Sequence, residues 1–158
     1  MIRTALAVVD PEHAPAYDAN AAALSGRLLA LHERFDQGLA HCARREIVVS
    51  HGAFAYLARR YRLTQLPLIA SLAPDAEPSP AALAALTRHA RRTGITHVFF
   101  ETLVAHKLAD TLAREVGART LVLNPLEGLT KDEEARGLSY VELMDANLAH
   151  LRTALGCR

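Results

Sequence analysis

Residues 46–61 read Glu46-Ile47-Val48-Val49-Ser50-His51-Gly52-Ala53-Phe54-Ala55-Tyr56-Leu57-Ala58-Arg59-Arg60-Tyr61. A short apolar, β-branched run over 46–50 gives way to amphipathic helical spacing that carries through Tyr61. The same change of period recurs downstream: residues 66–70 and then a helix over 80–92, 97–100 and then 107–116, 120–123 and then 140–155. Four such βα units predict an α/β fold with a four-stranded parallel sheet and helices on both faces. Gly94 and Gly117 stand just past two of the helices, where a left-handed residue is expected. Three prolines mark 73–80 as a loop with Ser79 as N-cap, and 127–137 reads as a second polar loop.

Upstream of this repeat the pattern is purely helical. Asp10 is the expected N-cap, Pro11 the first helical residue and Glu12 a first-turn acid, with the helical pattern starting directly after the first ten residues. Tyr17, Ala21, Leu24, Leu28, Leu31 and Phe35 follow at steps of three and four, one stripe on a helix running to about residue 40. The expected organisation is a single α/β lobe over 1–158, with a long helix over about 10–40 and the βα repeat over about 45–158.

With 158 residues, 51% apolar and 22% charged, the chain is long enough to bury one sizeable core. Eighteen Lys and Arg against 17 Asp and Glu leave a charge of +1, which removes the electrostatic case for nucleic acid. The apolar runs fall short of the ~20 residues that span a bilayer, and residues 1–10 carry no visible secretory cleavage pattern. Two cysteines, Cys42 and Cys157, are too few for a disulfide-rich scaffold, and composition alone leaves their state open.

Ligands of parallel α/β sheets bind beyond the carboxyl ends of the strands, which singles out Ser50-His51-Gly52, Ala70-Ser71, Glu101-Thr102 and Asn124-Pro125. Imidazole with oxygen donors at His51, Glu101 and Asn124 suits a zinc-like or manganese-like ion better than a phosphate. The competing reading makes His51 the opening residue of a helix and Asn124 a turn residue before Pro125. A small hydrolase built on Ser50, His51 and Glu101 is a further alternative, although neighbouring Ser50 and His51 point apart in an extended chain. The i,i+4 pairs His32/Asp36 and His106/Asp110 read as solvated helix faces. No GxGxxG, GxxxxGK[ST] or CxxC occurs.

Residues 47–58 resemble the "SH-x-AF-x-Y-[LF]-A" segment of the metal-type substrate-binding proteins of bacterial ABC transporters, the zinc and manganese uptake receptors. Residues 72–79 resemble that family's "LSP-x-AEPS" loop, 98–101 its "[IV]F-x-E" strand end, 123–128 its "LDPL-x-G" segment and 140–148 its closing "Y-x-x-[LM]M-x-x-NL" helix. The resemblance implies a clamshell of two α/β lobes joined by a long helix, with metal held between the lobes. This chain corresponds to the linking helix and the C-terminal lobe; nothing in it resembles the N-terminal lobe or a signal sequence. His51 matches a metal ligand that is His in zinc-type members, so Zn²⁺ is implied ahead of Mn²⁺. Asn124 stands where many members have a ligand Asp, and Glu101 matches a strand-end Glu that orients a ligand or loop. The implied role is capture of metal for an ABC importer membrane subunit in a periplasmic or extracellular setting, with no reaction catalysed. The resemblance at "C-A-R-R-E-I-V" and "A-L-G-C" also implies that Cys42 and Cys157 pair. Without the other lobe, the helix stripe would expose apolar surface and favour a homo-oligomer.

Overall fold

The computed structural model describes residues 1–69, 80–102 and 107–158. Its elements are α1 (Ile2–Val9), α2 (Ala14–Gly38), β1 (Glu46–Val49), α3 (Ala55–Arg60), β2 (Thr64–Pro67), α4 (Pro80–Thr93), β3 (His97–Phe100), α5 (Lys107–Val116), β4 (Arg119–Val122), α6 (Lys131–Ala135) and α7 (Tyr140–Leu155). All strands are parallel, in the order β2-β1-β3-β4. The sequence expectation of a four-stranded parallel sheet is met.

Alternation along the strands explains the layers, because successive side chains of a strand point to opposite faces. Ile47, Val49 and Phe99 pack with Phe35 of α2 and Leu151 of α7 on one face. Val48 and Val98 pack with Ala90 of α4 and Leu112 of α5 on the other. Gly94 and Gly117 adopt φ of 65° and 70°, as expected for helix-terminating positions.

The N-terminal helix differs from its expected form. A separate helix, α1, occupies residues that the sequence pattern left outside the long helix, and a 3₁₀ turn at Pro11–His13 divides it from α2. Pro15 supplies the reason: its ring would collide with the carbonyl of Pro11 in a continuous helix, whereas it is tolerated in the first turn of a new one. Asp10 therefore makes no side-chain bond to a helix backbone N–H. Its carboxylate instead accepts from Tyr17 Oη at 2.6 Å and lies 2.9 Å from His13 Nδ1. These bonds, Tyr17 foremost and then His13, hold the Asp10 carboxyl below the usual carboxylate range. Because the folded value is the lower one, the contribution is present above the unfolded pKa and is lost as pH falls through the folded value. Tyr17→Phe is expected to move the Asp10 titration upward, measured by NMR of the Asp10 carboxyl carbon; an unmoved titration would show that Tyr17 does not set it.

Other boundaries shift for simple reasons. β2 begins at Thr64, ahead of the expected 66–70, because Glu46 to Val49 pair in register with Thr64 to Pro67; Pro67 is tolerated since β2 is an edge strand. β4 starts one residue early and α3 ends one residue before Tyr61. The polar loop over 127–137 contains α6, whose Thr130 and Glu133 form a reciprocal capping box. The 70–79 stretch, with Ala70, Ser71, Ser79 and the whole AEPS-like motif, lies outside the described residues, as does His106. Of the α2 stripe only Leu31 and Phe35 are buried; Leu24 and Leu28 are exposed.

Cys42 and Cys157 are bonded, 115 residues apart in sequence. Backbone bonds from Arg44 N to Leu155 O and from Arg158 N to His41 O flank the bridge and fasten the end of α7 to the segment after α2.

Candidate metal centre

The sheet order places the reversal of winding between β1 and β3, since β2 lies on one side of β1 and β3 on the other. A crevice opens at such a switch point, at the carboxyl ends of the two diverging strands. His51 follows β1 and Glu101 follows β3, so the topology itself brings together two residues 50 apart in sequence. His51 Nδ1 lies 2.6 Å from Glu101 Oε1, and both side chains are buried. With Glu101 ionised this is a short N–H···O⁻ bond that fixes the imidazole plane and leaves Nε2 as the nitrogen free for a metal. Burial pushes the Glu101 carboxyl up, the bond and charge of His51 pull it down, and the charge of Glu127 pushes it up again.

Asn124, after β4, is hydrogen-bonded through both its side chain and its backbone. Its Oδ1 accepts from Leu126 N at 2.8 Å and its Nδ2 donates to Glu133 Oε1 at 3.1 Å. Its backbone is gripped by Asn147 of α7, whose Oδ1 accepts from Asn124 N at 2.8 Å and whose Nδ2 donates to Asn124 O at 2.7 Å. The arrangement fits a residue that anchors the loop after β4. Asn147 was missed as a contributor to this region by sequence reasoning. The signal was available: an amide in a stripe otherwise formed by Leu143, Leu148 and Leu151 must find partners when buried.

Glu127 was also not singled out. It is exposed, and its negative charge adds to the upward push on the Glu101 carboxyl. Among the described residues, no three His, Cys, Asp or Glu side chains converge to hold a metal ion. The donor seen here, one imidazole nitrogen oriented by a carboxylate, fits part of a zinc coordination sphere.

The remaining sequence candidates fall elsewhere. Ser50 Oγ donates to the Phe99 carbonyl at 3.4 Å while His51 turns to Glu101, so the hydrolase alternative lacks its nucleophile–base pair. His32 engages Tyr61 and Arg60, and His97 pairs with the Thr96 hydroxyl.

The family model described as "Zinc-uptake complex component A periplasmic", ZnuA, matches residues 1–154. This chain belongs to the ZnuA family. It is 40% identical over 146 residues to the high-affinity zinc uptake system protein ZnuA of Bacillus subtilis (strain 168), covering 92% of this chain and 46% of that protein. It is also 40% identical over 151 residues to the zinc-binding lipoprotein AdcA of Streptococcus pneumoniae serotype 4, covering 96% of this chain and 30% of AdcA. The chain thus spans less than half the length of these curated relatives. Among solved structures, the Zn(II)-bound ZnuA-like domain of Streptococcus pneumoniae AdcA superposes with a TM-score of 0.81 at 38% identity, over 98% of this chain and 57% of that one. The metal-dependent lipoprotein YcdH from Bacillus subtilis gives 0.83 at 39% identity, over 98% and 57% respectively. ZnuA-family membership accounts for the ordered motifs over residues 47–58, 98–101, 123–128 and 140–148.

Proposed function

We propose that this chain is the linking helix and C-terminal lobe of a zinc receptor that delivers metal to the membrane subunit of an ABC importer, and that it catalyses no reaction. The observation that carries the reading is the His51–Glu101 pair at the β1/β3 switch point of a ZnuA-family fold. His51 Nε2 is the proposed ligand, and a nitrogen donor favours Zn²⁺ over Mn²⁺. Glu101 fixes the ring. Asn124 holds the loop after β4 with its amide, so its part is to position that loop beside the site. The names of the relatives support a periplasmic or surface setting, which also suits the Cys42–Cys157 bridge.

A closed zinc site takes four donors, and this lobe offers one nitrogen with one or two oxygens, so a second lobe must supply the rest. Competition of the full chain against a chromophoric chelator is therefore expected to give zinc binding weaker than micromolar in the monomer. His51→Ala should abolish it, while Glu101→Gln should weaken it roughly 10- to 100-fold by loosening the imidazole. Sub-micromolar binding that survives His51→Ala would overturn the assignment. The exposed Leu24, Leu28 and Leu29 on α2 further support self-association, read by light scattering across concentration; a monomer throughout would remove that part of the reading.

A further inference from the structure

A polar cavity of about 430 Å³ lies between the end of α2 and the turn that follows α3. Arg45 immediately precedes β1 and Arg62 stands two residues before β2, so the cavity opens at the strand-start end of the sheet, away from His51 and Glu101. Three arginines, Arg45, Arg60 and Arg62, line it against one carboxylate, Asp36. Positive charge is uncompensated there.

Hydrogen-bond logic shows a shortage of acceptors. A guanidinium can only donate, so the 2.8 Å contact from Arg60 to His32 Nε2 makes that nitrogen the acceptor. His32 Nδ1 then carries the proton and donates to Tyr61 Oη at 3.1 Å. The Tyr61 hydroxyl hydrogen is thereby left to donate, and it has no acceptor among the described residues. Packing of the Tyr61 ring on Phe35, with centroids 5.1 Å apart, holds that hydroxyl in place. Arg45 spends two donors on the carbonyls of Leu39 and Ala40 at the end of α2, neutralising the helix terminus that would otherwise repel an anion.

Arg62 is the most telling residue. It has φ of 56°, the left-handed conformation taken by glycine at Gly94, Gly117, Gly137 and Gly156 after other helices. A glycine would be less strained at this position, yet an arginine is present whose guanidinium has no partner among the described residues.

We propose that this cavity binds a phosphate-class oxyanion, held by Arg60, Arg62 and the Tyr61 hydroxyl. A tetrahedral oxyanion brings acceptors only, carries charge opposite to the excess, and presents the paired oxygens that guanidinium groups bind best. The source is either a soluble phosphate or the headgroup of an anionic phospholipid.

The test is a ¹⁵N-resolved NMR titration of the full chain with sodium phosphate, run against sodium chloride at matched ionic strength. Saturable shifts at His32 and residues 60–63, absent with chloride, are expected. In Arg60→Gln/Arg62→Gln the affinity should fall at least roughly 10-fold, the loss of one or more charge-assisted bonds. Arg62→Gly guards against a folding artefact: it relieves the backbone, so its Tm should rise while phosphate binding weakens. In a parallel arm, Arg62-dependent co-sedimentation with phosphatidylglycerol vesicles but not phosphatidylcholine vesicles, without a response to free phosphate, assigns the headgroup as the source. A phosphate response without vesicle binding assigns the soluble ion. Shifts equal to those with chloride together with no Arg62-dependent vesicle binding, or phosphate and vesicle binding both unchanged in a folded Arg62→Gly, would overturn the proposal.

Discussion

Cys42→Ser/Cys157→Ser is expected to lower the unfolding free energy by about 5 kcal/mol relative to the oxidised chain. The bridge closes a segment of 115 residues, and in the chain-entropy model the gain grows with the logarithm of that length. The neighbouring bonds from Ala43 N to Gly156 O and from Arg44 N to Leu155 O remain in the variant. Each such bond is worth only about 1 kcal/mol net, and they form only after the ends have met, so they do not replace the covalent constraint. Against a typical domain stability of about 5–15 kcal/mol, the variant should be marginal at body temperature. Guanidinium melts of the oxidised chain and the double variant measure the difference, with thiol titration of the denatured, unreduced chain confirming that no free thiol is present at the start. Coincident midpoints would show that the bridge contributes nothing to the fold.

Phe35→Ala should cost about 3–5 kcal/mol, while Leu24→Ala, eleven residues earlier on the same helix, should stay within about 0.5 kcal/mol. Phe35 is 0% exposed and Leu24 is 54% exposed. Phe35 sits at the centre of the core formed by β1, β3 and α7 and stacks at 5.1 Å on Tyr61, so its removal leaves a cavity that rigid strands cannot close. Leu24 lies on the first half of α2, where no residue of the helix is buried. Urea melts of the two variants separate them, and equal midpoints would mean that the first half of α2 is packed as firmly as the second.

That contrast marks the limit of periodicity. The steps from Tyr17 to Phe35 announce an apolar face, and helix physics alone delivers the helix; which half of the face meets the sheet depends on where the βα lobe ends, a distance no local pattern carries. The alternation of β-branched runs with helical stretches likewise fixed the parallel sheet, because strands buried on both faces read as continuous apolar runs. Bounds of β3, α5 and α7 followed from local signals, such as the Gly after α5. The start of α2 did not, since Pro11 and Pro15 act jointly and only a chain traced through both shows that one helix cannot hold them.

At the site, the residue types are legible along the chain: an imidazole and a carboxylate after strands, in motifs that resemble a metal-receptor family. Tertiary structure decided their roles. Strand order made β1 and β3 neighbours and so turned His51 and Glu101 into a bonded pair, and the packing of α6 and α7 against the end of β4 gave the Asn124 amide its partners in Glu133 and Asn147. A hydrogen bond needs two groups within about 3 Å, and for residues 50 or 23 apart in sequence that distance is set by the winding of the sheet rather than by the residues between them.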